Sequence, residues 1–458
     1  LSRWPMRQRT VPGTAGGRVG EMAQEPQDRG LGPARRRVVL ASVVGNGFEW
    51  YDFLVYGFLT EAIAAAFFPA SDPRLAWLMA CAGFSVSFVA RPFGGLLLAI
   101  YADRHGRKPA LLAMIAMMAA GMLLVAITPG YDRIGLAAPL LVLFARVLQG
   151  LSVGGEFATA SAMLTEWSPP ERRMRYGSFQ MCAQALAMLL AAVSVLALRH
   201  FLSAAQLAQW GWRVPFLVGA LIGPVGLYIR HGLGESPQFA PPAPGAAGGV
   251  APLPELFGQA RGRLCAGLGV VVIGTASQYV WFIFLPAYVV HQLGLDPASA
   301  HVGTGLCALV LLGLTPLVGG LADRLDPWRL FAGAVAVFAL LALVLLAQVL
   351  ARPAMERLLW AQLVCSLPIA FIWGTTPGLL ASLFPARMRT SGMALSYNTG
   401  VLLFGGMAPF TLSLATEAFD TRLVPAYYII ACAALALGLT VRFWRQDCVK
   451  DQGHAART

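Results

Sequence analysis

Five charged side chains stand well inside long apolar stretches of this 458-residue sequence: Glu49, Asp52, Arg91, Arg146 and Glu156. A charge in hydrocarbon is costly, so each is a candidate functional group. Gly45, Glu49, Asp52 and Tyr56 follow at steps of four, three and four, which places them on one face of a helix. Arg146, Gln149, Val153 and Glu156 share one sector of another. At about 1.5 Å of rise per residue, Asp52 and Arg146 fall at one depth, and Arg91 and Glu156 at a second. Two opposite-charge couples at two depths suit a cavity that exchanges protons. A proton on the carboxylate releases its arginine, which can then hold an anion or let a helix move. The plainer alternative is two structural ion pairs, although buried pairs seldom stabilise better than apolar packing. Asp52, Glu49, Arg146 and Glu156 are therefore expected to handle protons, and Arg91, Tyr56 and Gln149 to face a solute. None of the six histidines lies mid-span, so a carboxylate is the natural proton carrier.

The elements that carry these residues follow from composition. The chain is 57% hydrophobic and 12% charged, with mean hydropathy +0.65. Soluble domains carry about 25% charge, so a soluble fold is excluded. Apolar runs predict twelve transmembrane helices near 38–68, 75–101, 109–128, 137–166, 175–200, 213–233, 264–290, 299–321, 329–350, 356–384, 391–415 and 424–444. Residues 234–263, rich in Pro, Gly and Ala, read as a linker between bundles 38–233 and 264–445. Residues 1–37 read as a disordered basic leader without a signal-peptide core, and 446–458 as a tail. Arg and Lys number 25 on the side of the two termini and 7 on the other. That bias predicts both termini in the cytoplasm of a multi-pass plasma (inner) membrane protein. It also explains the net charge of +12 without nucleic acid as a partner.

The second half offers no mid-span charge. Gln278, Tyr279, Trp373 and Asn398 are its candidates for lining a cavity through amides and rings. The two halves echo one another at Asp103-Arg104-His105-Gly106-Arg107-Lys108 and Asp323-Arg324, 220 residues apart. Both sequences close a helix on the basic side, where cations meet the helix dipole and lipid headgroups. Asp103, Arg104, Gly106, Arg107, Lys108, Asp323 and Arg324 are therefore expected to govern gating. The seven cysteines are scattered singly, and no Walker loop, GxSxG or HExxH sequence occurs. No metal, cofactor or enzymatic activity is expected, and transport would draw on a gradient.

These segments resemble the major facilitator superfamily over residues 38–445. Asp103–Lys108 looks like its loop between the second and third helices. Arg146-Val147-Leu148-Gln149-Gly150 with Gly154-Gly155-Glu156 looks like its fourth-helix motif, linked there to proton transfer. Gly45–Phe53 and Ala90-Arg91-Pro92-Phe93-Gly94 resemble the metabolite:proton symporters, which include carriers of citrate, tricarballylate, α-ketoglutarate, shikimate and proline/betaine. The chain departs at Ala99, where the family has Gly, and at the degraded second loop, Asp326-Pro327-Trp328. The tail after Arg445 is short for the coiled coil of osmosensing members. The resemblance implies an all-helical fold of two six-helix bundles that imports a small organic anion with protons by alternating access. A di- or tricarboxylate such as citrate or α-ketoglutarate is expected, in a carrier acting as a monomer in the lipid bilayer. The alternatives are a zwitterionic osmolyte or other metabolite, and a transport-inactive membrane sensor.

Overall fold

A computed structural model describes the backbone of residues 33–68, 73–231, 260–285 and 297–455, with Phe257 and Tyr288. The described chain is helical throughout. The first half contains α1 (Pro33–Phe58), α2 (Pro73–His105), α3 (Arg107–Ile127), α4 (Ala137–Glu166), α5 (Arg173–Phe201) and α6 (Val214–His231). The second contains α7 (Arg261–Ala276), α8 (Pro297–Ala322), α9 (Pro327–Ala351), α10 (Met355–Leu383), α11 (Arg389–Val401) and α12 (Val424–Ala455). Ten described helices are long and apolar enough to cross a membrane, and Val86–Ala102 of α2 is a shorter apolar helix. The remaining span is interrupted. α11 passes through a π-helical stretch, Leu402–Gly406, into a further helix, Ala408–Phe419.

Among the described residues, the helices depart from the expected spans at three places. α1 starts at Pro33, inside the expected leader, with proline in the first turn where a missing N–H costs nothing. The first span breaks at Leu59 before a short helix, Thr60–Phe67. α12 runs to Ala455, past the expected end of its span. The expected linker falls almost wholly outside the described residues.

Small residues decide how α2 meets α4. A Cβ at Gly94 would overlap the Leu151 backbone, and one at Gly154 would overlap the Arg91 carbonyl. These helices therefore touch backbone to backbone, a device of helix packing in lipid, where no hydrophobic effect drives association. Across the halves, α5 packs on α8 and α10, and α11 packs on α2 and α4. Hydrogen-bond ladders slip at two places in the second half, Ser277–Phe284 after α7 and Leu402–Gly406 after α11. Gly405 of the second stretch sits against Tyr279 of the first. We call the side that holds Gly106, Glu166 and Arg389 the basic face.

Candidate functional site

Asp52 and Arg146 meet in an interior with no solvent exposure on either side chain. Arg146 Nη1 donates to Asp52 Oδ2 at 2.7 Å and to Gln149 Oε1 at 2.7 Å. Gln149 Nε2 closes the triangle on Asp52 Oδ1 at 2.8 Å. The helix spacing that put Gln149 three residues after Arg146 makes this possible, because both then face α1. Gln149 thus belongs with the expected proton-handling pair. Its amide is spent on Asp52 and Arg146. Tyr56, one turn beyond Asp52, lies beneath the Arg146 guanidinium, 4.3 Å from ring centre to Cζ.

Arg91 does not form the second couple. Its guanidinium lies 4.3 Å from the Phe53 ring centre, 4.5 Å from Phe88 and 5.7 Å from Trp50. Arg91 Nη1 donates to the Tyr279 hydroxyl at 3.4 Å, and Nε and Nη2 have no hydrogen-bond partner. No hydrogen bond from Arg91 reaches Glu156. The packing gives the reason: with Gly154 pressed on the Arg91 carbonyl, the α2–α4 seam has no room for a long side chain. Arg91 turns instead to the rings of α1 and to Tyr279 in the other half. Glu156 is buried on α4, nearer the basic face.

The second half completes this level with neutral groups. Tyr279 packs its ring on Trp50 and Phe88, with centroids 5.9 and 5.6 Å apart. Tyr397 of α11 stacks face to face on Phe157 of α4 at 3.7 Å. Its hydroxyl lies in the field of both Arg91 and Glu49. Gln184 of α5 comes within reach of that hydroxyl, yet the geometry closes no hydrogen bond to either amide atom. Gln278 is buried beside Tyr279, and its Nε2 has no partner. Two other expected contacts are engaged elsewhere. Trp373 Nε1 donates to Ser277 Oγ at 3.1 Å. Asn398 Nδ2 reaches across the halves to the Gly154 carbonyl at 2.7 Å.

A second constellation closes the basic face. Gly106, at φ 103°, lets α2 turn directly into α3. Arg107, at the start of α3, is buried and donates to Glu166 and to the Ala386 carbonyl, both at 3.4 Å. Glu166, the last residue of α4, also takes Arg389 Nη1 at 3.0 Å. One carboxylate therefore ties cations from both halves. Asp323 does the matching task from the second half, accepting from the backbone N–H groups of Met174 and Arg175 at 2.8 and 3.1 Å. Those N–H groups open α5 and have no partner in their own helix. Burial pushes the Asp323 carboxyl above its ordinary value, against the pull of the two N–H groups and of Arg175 and Arg172. Burial likewise lowers the Arg389 guanidinium, with Glu166 opposing. Arg104 and Arg324 are exposed, and Lys108 is half-buried. Asp103 lies on the last turn of α2, its side chain outside the described residues.

Sequence reasoning missed Glu166, Arg389 and Gln184. A signal for the first two was present. Pro170-Glu171-Arg172 and Pro385-Ala386-Arg387 repeat ahead of α5 and α11, with Gly177 and Gly392 at equal distances behind. Gln184 had none, because one amide in an apolar helix has no periodic partner.

Two echoing halves of apolar helices, with a buried Asp52–Arg146 pair and a tied basic face, define a multi-span membrane architecture. The sequence matches the Major Facilitator Superfamily over residues 43–409, and the chain belongs to it. Among its relatives is the α-ketoglutarate permease of Escherichia coli (strain K12), 33% identical over 422 residues, covering 90% of this chain and 95% of the relative. The proline/betaine transporter of the same strain is 32% identical over 427 residues, covering 89% and 83%. By shape, the chain is similar to the proton:xylose symporter XylE bound to 6-bromo-6-deoxy-D-glucose. The TM-score is 0.70 and identity 18%, with 90% of this chain and 95% of that one covered.

Proposed function

We propose that this protein is a proton-coupled importer of a small organic anion, a di- or tricarboxylate, working by alternating access in the plasma (inner) membrane with its basic face in the cytoplasm. The observation that carries the reading is the Asp52–Arg146–Gln149 triangle, fully buried and one ring away from Arg91. A carboxylate that shares a guanidinium with the solute's surroundings can trade that pairing for a proton. Glu166 and Asp323 hold the cytoplasmic side closed, and their release opens it. The similarity to an α-ketoglutarate permease supports the substrate class. Glu49, whose charge is felt at Tyr397, favours one other reading, a zwitterion whose cationic end meets a carboxylate, and the proline/betaine relatives accord with it.

Reconstituted vesicles test the proposal. An imposed inward proton gradient should concentrate labelled α-ketoglutarate or citrate inside, and a protonophore should abolish the accumulation. Concentration of proline or betaine alone would move the assignment to the zwitterion. Failure of all four to respond to the gradient would refute proton-coupled uptake.

A further inference from the structure

Arg91 and Arg146 share a ring. Their Cζ atoms lie 4.3 and 4.8 Å from the centre of Phe53, so the two guanidinium carbons are no more than about 9 Å apart. Each group spends only Nη1, Arg91 on Tyr279 and Arg146 on Asp52 and Gln149. On both arginines, Nε and Nη2 are buried without a hydrogen-bond partner. These two nitrogens form the edge of a guanidinium whose parallel N–H bonds fit the two oxygens of one carboxylate. Leaving a buried donor unmade costs about 1–3 kcal/mol, and more when it is charged. The same edge is unmade on both arginines.

We propose that Arg91 and Arg146 together grip the two carboxylates of one short dicarboxylic acid, and that this grip requires a proton on Asp52. The proposal rests on the organic-anion symport reading and narrows it. Asp52 already occupies Nη1 of Arg146, so a substrate carboxylate on the Nε/Nη2 edge would put two carboxylates on one guanidinium. In a site closed to water they repel strongly. A proton on Asp52 removes that repulsion and leaves two guanidiniums facing two carboxylates. Counting the two arginines and Asp52 alone, the charges then balance, with one proton taken up for each diacid bound. No third Arg or Lys stands in the interior of any span, so a third carboxylate would be uncompensated, and the site disfavours tricarboxylates.

The groups around Asp52 leave this linkage to Arg146. Its own helix brings Glu49, Tyr51 and Tyr56, and α4 brings Arg146 and Gln149. Beyond these, α2 brings Arg91 across Phe53. The other neighbours contribute no charge: α3 presents Gly121 to Gln149, α5 presents Ser194 to Tyr51, and α6 presents Phe216 to Tyr56.

The test is binding to the purified full chain at pH 6 and pH 8. The probes are succinate, glutarate and α-ketoglutarate, each with its half-amide, together with citrate, proline and glycine betaine. At least one diacid should bind ten times or more tighter than its half-amide at pH 6, and the preference should shrink at pH 8. Mixing that diacid with weakly buffered wild-type protein should take up protons, whereas its half-amide should not. Arg146→Lys keeps the charge but loses the edge, and should erase the preference. The proton-uptake measurement needs no variant, so it decides the matter if Arg146→Lys does not fold. Half-amides, citrate or zwitterions binding as tightly as every diacid would overturn the proposal. So would diacid binding without proton uptake, a preference that survives Arg146→Lys, or no diacid binding. Gradient-driven uptake of a zwitterion or a monocarboxylate would sink this inference and leave proton-coupled transport standing.

Discussion

The first half buries Glu49, Asp52, Arg91, Arg146 and Glu156 between its helices. The second half, built to the same six-span plan, buries no Asp, Glu, Lys or Arg among the described residues. It supplies rings, amides and hydroxyls, and it also holds both π-helical stretches, Ser277–Phe284 and Leu402–Gly406. Fixed charges need a rigid setting, because a buried ion pair is tolerated only while its geometry holds. The glycine seam of α2 and α4 gives the first half that rigidity. A slipped ladder is where a helix can change course, and such turns recur at functional sites. The comparison teaches that ionic chemistry and bending are assigned to different repeats, and that they touch at Tyr279 and Tyr397.

The largest effect should come from removing the charge that cannot be replaced. Asp52→Asn keeps the size of the side chain but cannot cycle a proton. Accumulation driven by a pH gradient should be abolished, while exchange of labelled for unlabelled solute should persist, since exchange needs only the loaded carrier to reorient. Vesicle uptake and counterflow measured side by side check this. Normal gradient-driven accumulation would break the comparison, because the first half would no longer hold the coupling site.

Next comes the carboxylate that ties the halves. Glu166→Gln weakens Arg107 and Arg389 together, so the closed basic face should lose stability relative to the open one. A shift of 1.4 kcal/mol is tenfold in that equilibrium, and turnover should fall by about tenfold or more. Solute affinity should change little, because neither arginine reaches the mid-membrane level. Equal losses in turnover and affinity would show that the basic face and the solute site are one unit.

How far this division was legible in the sequence depends on the kind of signal. Spans and the Asp52–Arg146 pairing follow from hydropathy and depth, which are properties of single helices. Gln149 was legible as a neighbour of Arg146, but its partner was not, since its amide could face either way. The turn of Arg91 away from Glu156 was hidden for a different reason. It follows from how closely α2 and α4 approach, and that is set by Gly94 and Gly154 on two separate helices. The π-helical stretches left no mark at all, because a slipped ladder depends on what packs against it.

Asp323 should give a smaller effect and one that depends on pH. In the closed state its carboxyl sits above its ordinary value through burial, so closure holds its proton more tightly than the exposed group would. Closure is therefore most favoured below the ordinary carboxylate value, weakens as pH rises from there to the raised value, and is level above it. Labelling of a thiol introduced by Ala381→Cys, at a position buried on this face, should slow as the solution is acidified through that window. Asp323→Asn should flatten the response. A labelling rate that falls as pH rises would reverse the sign and remove Asp323 from the gate.

The smallest effect expected is at Asn398, and it separates a contact with solute from a contact between halves. Its Nδ2 holds the carbonyls of Gly154 and Ala394 at 2.7 and 2.8 Å, and its side chain occupies the space left by Gly95. Among the described residues, that links the bent span of the second half to the glycine seam of the first by a neutral hydrogen bond. Such a bond contributes about 0.5–1.5 kcal/mol, so Asn398→Ala should shift the closed–open balance by only a few-fold. If the side chain serves the seam alone, KM should stay within about threefold of wild type, while labelling at the basic face quickens. If Asn398 meets the solute through its Oδ1, which has no protein partner, the order reverses: KM rises and labelling stays the same. Transport kinetics and labelling on the same preparation distinguish the two, and a raised KM would place solute recognition on the bending half as well as on the charged one.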